Sequence, residues 1–113
     1  MKIPNADRAV VHLDKLIEYC LNPNHRTGKN KARVFESVFG LTVDDAEILR
    51  EILLKAVQQH EAKIGLKDQY GQRYQVDFLL TWQEKQAMIR SAWIIEPDKP
   101  YPRLTSCYIL EEE

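Results

Sequence analysis

The hydrophobic pattern predicts an α+β fold in which about three N-terminal helices precede an antiparallel sheet of three to four strands. Apolar residues recur at helical spacing as far as residue 60, and from residue 73 they alternate with polar ones at period two. Length sets the scale: 113 residues and 13.2 kDa make one domain, residues 1–113, with room for one core. A chain of this size buries about two-thirds of its unfolded surface, enough for a core without staples.

The elements follow in order. Leu13, Leu16, Ile17 and Cys20 fall on one helical face, and Asn22-Pro23 ends that helix because a residue before proline is driven out of the α region. Ala32, Phe35 and Phe39 mark a second short helix, with Gly40 placed as its C-terminal cap. Thr42 with Asp45 three residues on resembles a capping box. Behind it, Ala46, Leu49, Leu53, Ala56 and Val57 define the longest helix, about residues 43–60, with Asp44, Asp45 and Glu47 at the positive end of its dipole. Tyr74, Val76, Phe78, Leu80 and Trp82 then alternate as a half-buried strand. Gln83-Glu84-Lys85 turns the chain into a second strand over 87–95. Residues 97–102, with prolines at both ends, form a loop, and 104–110 is a third strand. A short strand over 62–66 can pair back through Asp68-Gln69-Tyr70-Gly71. Glu111-Glu112-Glu113 reads as a solvated end.

Composition narrows the function classes. Hydrophobic residues at 44% and charged residues at 29% describe a globular chain rather than a disordered one. No apolar run approaches the ~18 residues of a membrane span, and the start lacks a signal peptide, so a cytoplasmic location is expected. Sixteen basic and 17 acidic side chains give a net charge of -1, which excludes a uniformly basic nucleic-acid binder and leaves room for a local basic patch. Cys20 and Cys107 are too few for a zinc cluster, and no metal or other cofactor is implied. Both read as small buried hydrophobes, with no disulfide expected in a reducing compartment.

The densest chemical signal is the stretch from Asn22 to Arg33. Arg26, Lys29, Lys31 and Arg33 stand there with His25 and no acid. Gly28 can take a positive φ, and the loop opens onto a helix N-terminus, an anion-binding arrangement. The spacing is not that of a Walker loop. The plain alternative is a solvated connector between two helices. Cations around His25 disfavour its imidazolium form, and a neutral imidazole can serve as a general base. Phosphodiester transfer in RNA needs such a base, cations for the phosphorane and an acid for the leaving oxygen, without a metal. A second cluster lies on the strands, where alternation can bring Arg90 beside Thr105 on one sheet face. Ordinary cross-strand polar pairing explains that cluster equally. Trp82 and Trp93 read as core anchors. Asp77 points outward and can pair with Arg73 or a neighbouring strand. No HExxH, GxSxG or GxGxxG occurs.

Leu21-Asn22-Pro23-Asn24-His25, Gly28, Lys31-Ala32-Arg33-Val34-Phe35, Arg90-Ser91-Ala92-Trp93-Ile94 and Arg103-Leu104-Thr105-Ser106-Cys107-Tyr108 together resemble an uncharacterised bacterial domain family. Its members are small stand-alone proteins and C-terminal tips of polymorphic toxins. The resemblance runs from about Asn5 to Leu110, and Arg26 stands where the family pattern has proline. The layout is similar to the barnase–EndoU–colicin–RelE group of metal-independent RNase toxins. The resemblance implies that His25, Lys31, Arg90 and Thr105 form a catalytic site. His25 would be the base or acid, Lys31 and Arg90 would hold the phosphate, and Thr105 or Tyr108 would position it. Arg26, Lys29 and Arg103 would be further binding contacts.

Three readings follow. The first is a ribonuclease toxin with an RNA substrate and a cognate antitoxin or immunity protein. The second is a non-catalytic protein-interaction module or antitoxin component. The third is a binding domain for a small anionic ligand.

Overall fold

Three helices precede a four-stranded antiparallel sheet in the computed structural model, which describes residues 1–111. Glu112 and Glu113, read above as part of a solvated end, lie outside the described residues. Helix α1 (Leu13–Lys15) runs directly into a π-helical segment (Leu16–Cys20). Helix α2 (Lys29–Phe39) starts a turn earlier than its apolar face suggests, at Lys29. Gly40 ends it at φ 71°, where a glycine costs least, and the N–H groups of Gly40 and Leu41 close back on Glu36 and Phe35. The capping box forms: the Thr42 hydroxyl accepts from the Asp44 N–H, and the Asp45 carboxylate accepts from the Thr42 N–H at 2.9 Å. It heads a 3₁₀ turn (Val43–Asp45) that leads into α3 (Ala46–Gln59).

Strands β1 (Lys63–Asp68), β2 (Gly71–Trp82), β3 (Lys85–Ile95) and β4 (Pro102–Ile109) pair in sequence order. Gln83 and Glu84, at φ 50° and 69°, make the two-residue turn whose twist suits a β hairpin. Gly71 sits at φ 136° against the Ile95 carbonyl, which leaves no room for a Cβ. Val10 pairs in parallel with Arg103 and covers the free edge of β4 at its first residues. At the other edge, β1 is exposed along nearly its whole length.

All three helices pack on one face of the sheet. Val76, Phe78, Ile89, Trp93, Leu104 and Cys107 meet Leu16, Cys20, Phe35, Leu49, Leu53 and Val57 in one core. Within it, the Trp93 indole donates to the Ser91 hydroxyl at 2.9 Å, and that hydroxyl donates to the Val76 carbonyl at 2.8 Å. The buried polar atoms of Ser91 and Trp93 are thereby satisfied. Strand β4 breaks the simple alternation. Ala92 pairs with Ser106 and Trp93 with Leu104, so Thr105 is the extra residue of a β-bulge. The bulge restores Cys107 and Ile109 to the core and sends Tyr108 to the opposite face, beside Arg90. Ile94 lies on that outer face yet is only 3% exposed; its cross-strand neighbours are Arg73 and Arg103. Among the described residues, no helix is long and apolar enough to cross a membrane.

Candidate functional site

The loop between the π-helical segment and α2 is held by its own side chains. Asn22 Oδ1 accepts from the Asn24 N–H at 2.9 Å, and Asn22 Nδ2 donates to the Glu18 carbonyl. His25 Nδ1 accepts from the backbone N–H of Thr27 at 3.0 Å and of Gly28 at 2.9 Å. The histidine thus holds the turn that leads into α2: its ring takes the Thr27 and Gly28 amides and its carbonyl the Lys29 amide. Two consequences correct the sequence reading. A ring whose Nδ1 is the acceptor carries its neutral-form proton on Nε2, so His25 presents a donor rather than a free lone pair. Gly28 has φ -93°, so its glycine is not required by a left-handed backbone. The requirement is space: a Cβ at Gly28 would lie 2.9 Å from Tyr19 Cδ1, Cε1 and the Tyr19 carbonyl.

Tyr19 is the residue that sequence reasoning missed, and it joins the loop to α2. Its ring meets the His25 imidazole edge-on at 4.8 Å between centroids. Its hydroxyl accepts from Lys31 Nζ at 2.9 Å. Lys31 Nζ also stands 4.8 Å from the centre of the Tyr108 ring, so the ammonium is bracketed by a tyrosine of the π-helical segment and a tyrosine of β4. Among the described residues, no carboxylate lies within ion-pair distance of Lys31. A shallow groove on one side is lined by His12, Lys15, Glu18, Tyr19 and His25. On the other side a groove over Asn30, Lys31 and Tyr108 adjoins a cavity of about 730 Å³ between α2 and the ends of β3 and β4.

Arg90 is placed by strand register. It faces Tyr108 on β4 and Asp77 on β2, and Asp77 receives Arg90 Nε at 3.0 Å and Nη2 at 2.9 Å. This two-pronged pair raises the guanidinium pKa above its already high value. His25, Lys31 and Arg90 are therefore linked through Tyr19 and Tyr108, not by direct contact. Thr105 stands apart: its hydroxyl donates to the Ala92 carbonyl at 3.1 Å beside the bulge. Three residues of strand, about 10 Å, separate it from Tyr108. Arg103 donates to Glu96 at 2.8 Å and holds that carboxyl below the usual glutamate range. Arg26 and Lys29 are exposed on the loop and the first turn of α2. Among the described residues, no three His, Cys, Asp or Glu side chains gather as metal ligands.

The arrangement is a cation between two aromatic rings, with an imidazole N–H donor alongside and open grooves on both sides. The model of a family described as a domain of unknown function, DUF6883, matches residues 2–111. The chain belongs to that family. No curated protein matches it. The DUF6883 chain is similar in fold to one chain of a contact-dependent growth inhibition toxin–immunity protein complex from Klebsiella pneumoniae 342. The TM-score is 0.67 at 16% identity, covering 96% of this chain and 98% of that one. At that identity the likeness is one of fold.

Proposed function

We propose that this DUF6883 chain is a metal-independent ribonuclease toxin, restrained by a cognate immunity protein or antitoxin. The observation that carries the reading is the Lys31 ammonium held between Tyr19 and Tyr108. Single-stranded RNA is recognised by cations for its phosphates and aromatic faces for its bases, and this cluster supplies both. The fold likeness to a chain of a toxin–immunity complex supports membership of such a pair, on either side of it.

In this reading the RNA 2′-hydroxyl attacks the adjacent phosphorus, and the 5′-oxygen leaves. Lys31 balances the charge that grows on the phosphorane oxygens, as a preorganised cation does. The proton of the attacking hydroxyl passes to solvent water, and another returns from water to the departing oxygen. The Tyr19 hydroxyl orients Lys31, and the Nε2–H of His25 donates a hydrogen bond to a phosphorane oxygen. Tyr108 offers its ring to a base. Arg90 orients Tyr108 and is itself restrained by Asp77. Thr105 keeps the bulge that turns Tyr108 outward.

The test is expression in bacteria with and without the product of the neighbouring gene. The wild-type chain should arrest growth alone and be tolerated with its partner, while Lys31→Ala should be tolerated in both settings. Harmless expression of a folded wild-type chain would favour the second reading, a non-catalytic immunity or antitoxin component. The exposed edge strand β1 favours that reading: Ile64 and Leu66 are 56% and 66% exposed along an unpaired sheet edge suited to a protein partner.

A further inference from the structure

Arg33 and Glu111 bring opposite charges to one cavity, and neither has an ion-pair partner among the described residues. The cavity, about 730 Å³, lies between α2 and the ends of β3 and β4. Val34 and Val38 of α2, with Ala87 and Met88 of β3, give it apolar walls, and Ser37 adds a hydroxyl. Its volume falls within the roughly 300–1,000 Å³ of sites that hold small molecules. The groove over Asn30, Lys31 and Tyr108 is continuous with it, because Val34, Leu110 and Glu111 line both. Lys31, Val34 and Val38 follow one face of α2 over seven residues, about 10 Å of helix. A nucleotide spans that length from its phosphate to the far edge of its base.

We propose that this cavity is a guanine site, holding the base of a guanine nucleotide whose phosphate meets Lys31. The two charges select the ligand. Glu111 repels an anion and Arg33 repels a cation, whereas a flat neutral base with donors on one edge and acceptors on another suits both. Guanine carries two adjacent acceptors, O6 and N7, which a guanidinium can take two-pronged. It also carries two adjacent donors, the N1–H and the 2-amino group, which a carboxylate accepts. Adenine, cytosine and uracil each set an acceptor beside the donor on that edge, and a carboxylate repels it. The valines and Met88 cover the ring, and the sugar leads back to Lys31. The base comes either from a free guanine nucleotide or from a guanosine within RNA, and only the second source rests on the ribonuclease reading.

The experiment titrates the purified whole chain with the four common nucleoside monophosphates and with inosine monophosphate, following backbone amide shifts by NMR. Guanosine monophosphate should bind at least about tenfold more tightly than the adenosine, cytidine and uridine compounds. Inosine monophosphate, which lacks the 2-amino group, should bind severalfold more weakly than guanosine monophosphate, and Glu111→Ala should erase that difference. Arg33→Ala should weaken guanosine monophosphate by about tenfold. Both variants should keep the wild-type thermal midpoint, since both side chains are exposed. A deoxy oligomer with one guanine among thymines, uncuttable for want of a 2′-hydroxyl, separates the two sources. Binding tighter than the mononucleotide and dependent on Lys31 assigns the site to a strand, and equal binding assigns it to the free nucleotide. Equal affinity for the four bases, no binding of guanosine monophosphate or the oligomer, or a guanine preference that survives both substitutions would each overturn the proposal. Guanine-selective binding by a chain that leaves RNA intact would uphold the site and contradict the ribonuclease reading. Cleavage of RNA with no guanine preference would do the reverse.

Discussion

The Lys31 ammonium donates to the Tyr19 hydroxyl at 2.9 Å, and that contact unites a loop, a π-helical turn and the first turn of α2. Removing the charge should disable the site without disturbing the core, since the side chain crosses the protein surface. Lys31→Ala should lower the unfolding free energy by about 1 kcal/mol, the cost of a half-buried hydrogen bond. RNA affinity should fall, and the slope of log affinity against log salt should shrink by about one phosphate contact. Filter binding at several salt concentrations measures both.

Gly28 is where Tyr19 is seated. An added Cβ 2.9 Å from the Tyr19 ring and carbonyl forces one of them to move. Gly28→Ala should cost about 1–3 kcal/mol, the range for overpacking, and should lower activity along with stability. Equilibrium unfolding in urea checks the first and turnover the second. An alanine variant as stable as wild type would show that the Tyr19 contact yields freely.

His25 has two duties in this arrangement, and substitutions separate them. His25→Ala removes the acceptor for the Thr27 and Gly28 amides and should cost about 1 kcal/mol, as for a lost hydrogen-bond acceptor. Asparagine at the same position offers a side-chain acceptor and should recover part of that stability. Neither variant restores the Nε2–H donor, so both should lose activity by about 10²-fold or more. An asparagine variant with full turnover would reduce His25 to holding that turn.

Asp77 holds Arg90 in a two-pronged ion pair, and in the ribonuclease reading RNA would compete for the same guanidinium. The ion pair is about one-third exposed, so screening limits its worth to about 1 kcal/mol. Asp77→Asn should cost no more than that while freeing the guanidinium beside Tyr108. RNA binding should tighten severalfold at low salt, with a steeper salt dependence. Unchanged affinity would place Arg90 outside the RNA path.

Acid should loosen the β3–β4 end of the sheet. The Arg103 guanidinium lowers the Glu96 pKa below its ordinary value of 4.5, so the folded state binds this proton less readily than the unfolded one. The stabilisation is present above about pH 4.5 and fades as pH falls through the lowered value. Glu96→Gln should flatten that part of the stability profile. An identical acid profile in wild type and variant would assign the loss elsewhere.

The fold was legible because its signals are local. Gly40, Thr42 with Asp45, and the alternation from Tyr74 to Trp82 each mark a boundary or a period that needs no distant partner. The family-like motifs drew attention to His25, Lys31 and Arg90, but not to what each side chain meets. Period two alone put Thr105 on the sheet face of Arg90 and left register open; the register with its one-residue bulge sets Tyr108 opposite Arg90. Tyr19 looked like an apolar neighbour of Cys20 until the fold brought it onto Gly28 and Lys31. The Asp77–Arg90 pair was half visible, since an outward Asp77 can pair with Arg73 or a neighbouring strand and only register set Arg90 opposite it.

The most direct measurement incubates the purified chain with total bacterial RNA in EDTA and analyses the fragment ends. Wild type should produce discrete fragments ending in 2′,3′-cyclic phosphate, the product of attack by the 2′-hydroxyl, and Lys31→Ala should produce none. Intact RNA after incubation with a folded wild-type chain, in EDTA and equally with divalent metal restored, would contradict the ribonuclease reading.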